Sequence, residues 1–153
     1  MDLHSEFTHI IRGLNRHRIH YALIGGLALG FYDRPRFTKD IDILTLHSQI
    51  GAIRNLLASL DYDESAKPWT FHSSALTLHR FTKIEGTDMV MFDVLAGEKQ
   101  FHTSILTRAR KVRSESGMVK IAEIDDLISL KKLRNSDQDK VDIKNLKKAQ
   151  RAS

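Results

Sequence analysis

Leu3, Phe7, Ile10, Ile11 and Leu14 recur at helical spacing, which predicts an amphipathic helix from about Leu3 to His17 with its charged residues on the other side. Tyr21 to Ile24 is apolar throughout and reads as a short buried strand. Gly25 and Gly26 end it, and the stretch Leu27 to Tyr32 resumes a helical pattern. Asp33 to Lys39 holds the turn residues Arg34 and Pro35. The segment from Asp40 to Thr45 then alternates acid and apolar residues as a half-buried strand does. His47 to Leu60 is a helix by the spacing of Ile50, Ile53, Leu56, Leu57 and Leu60.

Between Asp61 and Ser74 the pattern weakens, and Pro68 and Trp69 fall in a loop leading to an edge strand. Ala75 to Ile84 and Met89 to Leu95 read as two strands joined by a turn around Gly86, an antiparallel hairpin. Helical spacing returns from Glu98 to Ala109. Two short strands follow around a Ser116-Gly117 turn, then helices from Glu123 to Leu133 and from about Asp137 to Arg151. No internal repeat or low-complexity linker interrupts the order.

At 153 residues the chain suits one domain, with a core over about residues 1–109 and a C-terminal hairpin and helices over about 110–151. No window is apolar for long enough to span a membrane. The acid-bearing N-terminus is unlike a signal peptide, and the lack of cysteine excludes disulfides and thiolate metal sites. A cytoplasmic location is expected. The net charge of +5 is concentrated at the C-terminal end, where residues 108–151 hold 13 Lys and Arg against 7 Asp and Glu. Such a segment can attract a phosphate backbone, or it can be a solvated helix surface.

The chemistry centres on Asp40 and Asp42. On a strand, residues two apart project from the same face, so these carboxylates repel and raise each other's proton affinity unless a cation lies between them. Asp93, the one charged residue in Val90-Met91-Phe92-Asp93-Val94-Leu95-Ala96, also needs a partner, which can be an arginine, a backbone cap or a metal ion; with Asp40 and Asp42 also in need of a cation, the balance favours a three-carboxylate site. Gly25 and Gly26, at a strand-to-helix turn, can cradle a phosphate or serve only as a turn. Arg36, which shares parity with Thr38, Asp40 and Asp42, can contact a phosphate or pair with a carboxylate. The eight histidines show no zinc-ligand spacing, and Ser73 and Ser74 lack a nucleophile-elbow context.

Taken together, Gly25-Gly26, the run Arg36-x-Thr38-x-Asp40-Ile41-Asp42 and the later Phe92-Asp93-Val94 resemble the DNA polymerase beta-like nucleotidyltransferase superfamily. The wording is most similar to small bacterial nucleotidyltransferases of the abortive-infection and type IV toxin group. That group's lysine followed by a D-x-x-D element corresponds to Lys131, Asp139 and Asp142. Where the group often has an arginine between that lysine and the first later acid, this chain offers Ser136, with Arg134 two places earlier. The likeness covers about Tyr21 to Leu146.

The resemblance implies an α+β fold, a mixed sheet of about five strands flanked by helices, with C-terminal helices. It implies a metal-dependent transfer of a nucleoside monophosphate from a nucleoside triphosphate to a hydroxyl of RNA, protein or a small molecule. Asp40, Asp42 and Asp93 would be catalytic and would bind two Mg²⁺ or Mn²⁺ ions. Gly25, Gly26, Arg36, Thr38 and Lys131 would bind the nucleotide. A toxin-antitoxin or phage-defence setting, with a cognate partner protein, is also implied. A catalytically silent partner module and a metal-dependent nuclease on the same acids are the alternatives.

Overall fold

The computed structural model describes residues 1–32 and 40–152, so the expectations for Arg36 and Thr38 lie outside the described residues. Helix α1 (Leu3–Arg16) buries Phe7, Ile10, Ile11 and Leu14. It is capped by Asp2, whose carboxylate accepts from the backbone N–H groups of His4 (3.2 Å) and Ser5 (3.3 Å). Two of the donors that a helix start leaves unpaired are thus satisfied. Strand β1 (Tyr21–Ile24) is buried along its whole length and runs directly into α2 (Gly25–Tyr32).

Strand β2 (Asp40–Leu46) leads through a single 3₁₀ turn at residues 47–49 into α3 (Ile50–Ser59), so the helix expected from His47 is tighter in its first turn. Then come β3 (Asp63–Glu64), β4 (Trp69–Phe71), β5 (Leu76–Glu85), β6 (Asp88–Gly97), α4 (Gln100–Arg108), β7 (Arg110–Ser114), β8 (Gly117–Ile121), α5 (Ile124–Arg134) and α6 (Asp137–Ala152).

The sheet order is β3-β5-β6-β2-β1-β8-β7, with β4 also paired to β5. β2 runs parallel to β6 and β1 parallel to β8, while the other pairs are antiparallel, so the sheet is mixed. Among the described residues, eight strands replace the expected five or so, in part because β3 and β4 have only two and three residues, all exposed. A strand with no buried side leaves no alternation to read.

Alternation along β2 fixes the two faces of the sheet. Ile41 and Ile43 are fully buried, whereas Asp40 and Asp42 point into a cavity on the other side. On β5, Lys83 and Arg80 have opposite parity. Lys83 reaches Glu6 of α1 (3.1 Å), which places α1 on the face away from the cavity. α3 packs against α1, and the approach is close enough that a methyl group at Gly13 would overlap Leu56. α5, paired with α6, forms a wall of the cavity on the opposite face.

Candidate active site

Strand register gathers the acids. Asp42 stands opposite Asp93 on the parallel strand β6 and opposite Ile24 on the antiparallel strand β1. Directly aligned residues of neighbouring strands face the same way, so Asp40, Asp42 and Asp93 line one cavity of about 510 Å³ together with Gly25, Gly26 and Lys131. Six of the eight residues expected at the site are therefore brought together; Arg36 and Thr38 are the two outside the described residues.

Gly25 is required at its position for two reasons. Its φ of +72° lies in the left-handed region, where a side chain is strained, and a Cβ there would collide with Asp42 Oδ2. The residue thus turns the chain from β1 into α2 and lets Asp42 lie against the backbone.

Asp40 and Asp42 hold their protons unusually tightly. Asp42 keeps an opening to the cavity but is surrounded by protein on most sides. That burial, followed by the charges of Asp93 and Asp40, pushes its pKa up to about 7, against the weaker pull of Arg134 and Lys131. Asp40 is raised for the same reasons, burial first and then Asp93, with Arg80 acting in the opposite sense.

Asp93 has an arginine partner. Arg80, its direct cross-strand neighbour on β5, donates from Nε to Oδ1 (2.9 Å) and from a terminal nitrogen to Oδ2 (3.0 Å). This bidentate pair realises the arginine alternative for a lone strand acid. It uses two of the roughly four lone-pair positions a carboxylate offers.

The α5–α6 corner closes the cavity with a second charged network. Lys131 Nζ donates to Asp142 Oδ2 (3.1 Å) and lies 3.8 Å from Asp139, so its ammonium is already engaged by the two acids of the D-x-x-D element. Arg134 grips Asp139 with two bonds of 2.8 and 2.6 Å, and Ser136 adds its backbone N–H (3.0 Å) and hydroxyl (2.7 Å). Burial raises the proton affinity of Asp139, but the bonds from Arg134 and Ser136 outweigh it and hold the carboxyl well below the usual range. Asn135, in the left-handed conformation that ends α5, makes the tight turn that the network needs.

Arg80 was not among the expected site residues, and Arg134 entered only as a displaced basic residue. The hairpin contained the signal for Arg80: counting back from the Gly86 turn, with Ile84 against Met89, sets Arg80 opposite Asp93. Nothing in the local pattern marks Arg134 as a partner of Asp139.

Among the described residues, no three carboxylate or imidazole groups are already arranged as a metal site. The donor chemistry nevertheless suits a hard divalent cation: oxygen ligands only, carboxylates that repel one another, and a guanidinium standing in as countercharge on the third acid.

A glycine turn thus leaves a central strand, two acids stand on the next strand and a third on its parallel neighbour. Residues 1–152 match the family described as nucleotidyltransferase of unknown function (DUF6036), and the chain belongs to that family. No curated protein gives a significant sequence match.

Among solved structures, the chain is similar to the Thermotoga maritima protein TM1012, assigned as a nucleotidyltransferase, with a TM-score of 0.65, 13% identity and coverage of 90% of this chain and 88% of that one. It is also similar to the lincosamide antibiotic adenylyltransferase LnuA in its lincomycin-bound form, with a TM-score of 0.60, 13% identity and coverage of 94% and 95%. A third likeness is to ANT(2'')-Ia in complex with adenylyl-2''-tobramycin, with a TM-score of 0.54, 11% identity and coverage of 93% and 86%. At these identities the likeness is one of fold.

Proposed function

We propose that this nucleotidyltransferase moves a nucleoside monophosphate from a nucleoside triphosphate to a hydroxyl of a small-molecule acceptor, with Asp40, Asp42 and Asp93 as its catalytic acids. The observation that carries the reading is the register that sets Asp42 beside Asp93 and directly against Gly25. Carboxylates crowded at a glycine turn are costly in themselves, and a polyphosphate with its cations would relieve that cost.

In the reaction the acceptor oxygen forms a bond to the α-phosphorus, the bond from that phosphorus to the bridging oxygen breaks, and pyrophosphate leaves. The acceptor's hydroxyl proton passes to a nearby carboxylate or to water, and Asp93 is the acid on the side away from the glycines. The backbone of the Gly25-Gly26 turn, which starts α2, would receive the phosphates. Arg134 and Lys131 would add positive charge from the α5 wall, and Arg36 and Thr38 remain candidates for the same task on sequence grounds. Mg²⁺ or Mn²⁺ held by Asp40 and Asp42, with Asp93 completing the set, would supply charge neutralisation at the phosphates and activate the hydroxyl.

A small-molecule acceptor is favoured over RNA or protein by two of the fold neighbours, one a lincosamide antibiotic adenylyltransferase bound to lincomycin and the other in complex with adenylyl-2''-tobramycin. Supplying the protein with α-labelled nucleoside triphosphates, Mg²⁺ and parallel pools of cell metabolites, RNA and protein tests this reading. Label in a metabolite with release of pyrophosphate is expected. Shortened RNA would point instead to nuclease chemistry, and the absence of pyrophosphate release from every pool would sink the reading.

A further inference from the structure

The two sides of the carboxylate cluster differ in chemistry. Following the sheet from β1 through β2 and β6 to β5, the cavity begins at Gly25 and Gly26, crosses the three acids, and ends on a wall made by Phe71, Leu76, Leu78 and Leu95. Leu78 and Leu95 are direct cross-strand partners on the cavity face, one pair beyond the pair after Arg80 and Asp93. Both are only partly buried, and Phe71 is 37% exposed, so this wall presents apolar surface to the open cavity. Among the described residues lining this side, the one charge beyond the acids is the cation Arg80, and Ser73 and Ser74 supply the remaining polar groups.

The wall is held in place before any ligand arrives. His102 is fully buried, and its Nδ1 accepts from the backbone N–H of Lys99 (3.2 Å), which leaves the proton on Nε2. That Nε2–H donates to the carbonyl of Ser74 (2.8 Å), tying the turn between β4 and β5 to α4. A methyl group at Gly97 would collide with the His102 ring, so the strand end is shaped to admit it. A preformed apolar surface lowers the ordering cost of binding an apolar group.

We propose that this β4–β5 side is the acceptor subsite and takes a hydroxylated small molecule with an alkyl or aryl body and at most one positive charge. The inference rests on reading the carboxylates as the transfer site, since the acceptor must then enter on the side of Asp93 away from the glycines. Among the described residues there, a polycation would find the guanidinium of Arg80 and apolar side chains, with no acid apart from those needed for the transfer itself. Among the described residues on this side, an RNA strand would find one arginine where a chain of phosphates needs several cations.

The test is protein-observed NMR of leucine methyl groups and glycine amides, with Mg²⁺ and a non-hydrolysable ATP analogue present. Octyl β-glucoside below its micelle-forming concentration, kanamycin and a short RNA are titrated separately. Octyl β-glucoside should saturably shift the methyl signals of Leu76, Leu78 and Leu95, and Leu78→Glu should weaken its affinity at least tenfold. Leu78→Ala, a milder change, should weaken it severalfold. Tighter binding of kanamycin or RNA at these leucines, no shift with octyl β-glucoside, or unchanged affinity in both variants would overturn the inference. The analogue's effect on Gly25 and Gly26 reports separately on the nucleotide half, so the acceptor inference can fail while the transfer reading stands.

Discussion

Replacing Asp42 with Asn should stabilise the metal-free protein at pH 8. Asp42 is an acid whose folded-state pKa is raised from 3.8 to about 7. The native state therefore holds the proton more tightly than the unfolded chain does. Carrying this group costs nothing below about pH 4, costs progressively more as the pH rises towards 7, and costs its full amount above that. At about 1.4 kcal/mol per pH unit, the rise corresponds to on the order of 4 kcal/mol. The side chain's opening to the cavity lets water screen part of the charge, so about 2–3 kcal/mol is the expected gain. For a domain of this size that gain corresponds to a melting temperature higher by roughly 5–10 °C.

Urea unfolding of both proteins at pH 5, 6, 7 and 8 in chelator reads the effect directly. The advantage of Asp42→Asn should grow across that range and level off near pH 8. A variant no more stable than wild type at pH 8, or an advantage independent of pH, would refute the idea that uncompensated carboxylate charge is stored at this position. Adding Mg²⁺ should stabilise wild type more than the variant, because the cation compensates a charge that only wild type carries.

Three other substitutions probe the surrounding parts. Gly25→Ala forces a side chain into left-handed backbone, worth about 1–2 kcal/mol, and also pushes on Asp42; it should abolish the thermal shift produced by nucleoside triphosphate, read by scanning fluorimetry. Arg80→Gln frees the Asp93 oxygens and should raise Mn²⁺ affinity severalfold in isothermal titration, whereas equal or weaker affinity would show that the pair has no bearing on ion binding. Lys131→Met withdraws an ammonium serving Asp142 and Asp139 and should cost about 3 kcal/mol in urea unfolding, near the lower end for breaking a buried ion pair because Gln138 still donates to Asp142.

Where a residue's role depends on its own segment, the sequence was informative. The spacing from Leu3 to Leu14 encodes α1, and the parity of Asp40 and Asp42 encodes their common face, because period and burial are local consequences of backbone geometry. Asp93 is conspicuous for the same reason, as an acid inside an apolar strand. What stayed hidden depends on which segments meet. The Arg80–Asp93 pair needs the hairpin register, and the Arg134–Asp139 pair needs the turn at Asn135 that folds α6 back on α5. The edge strands β3 and β4 bury nothing, so their existence is set by pairing with β5 alone. The apolar acceptor wall is split among β4, β5 and β6 and becomes a surface only once the sheet is assembled.

Transfer chemistry itself is read most directly by following label from an α-³²P nucleoside triphosphate into acceptor in the presence of Mg²⁺, with wild type, Asp40→Asn and Asp42→Asn compared at equal folded concentration. Wild type should transfer label with stoichiometric pyrophosphate, and each variant should fall by at least about 100-fold. Transfer by Asp42→Asn at the wild-type rate would contradict the assignment of these carboxylates.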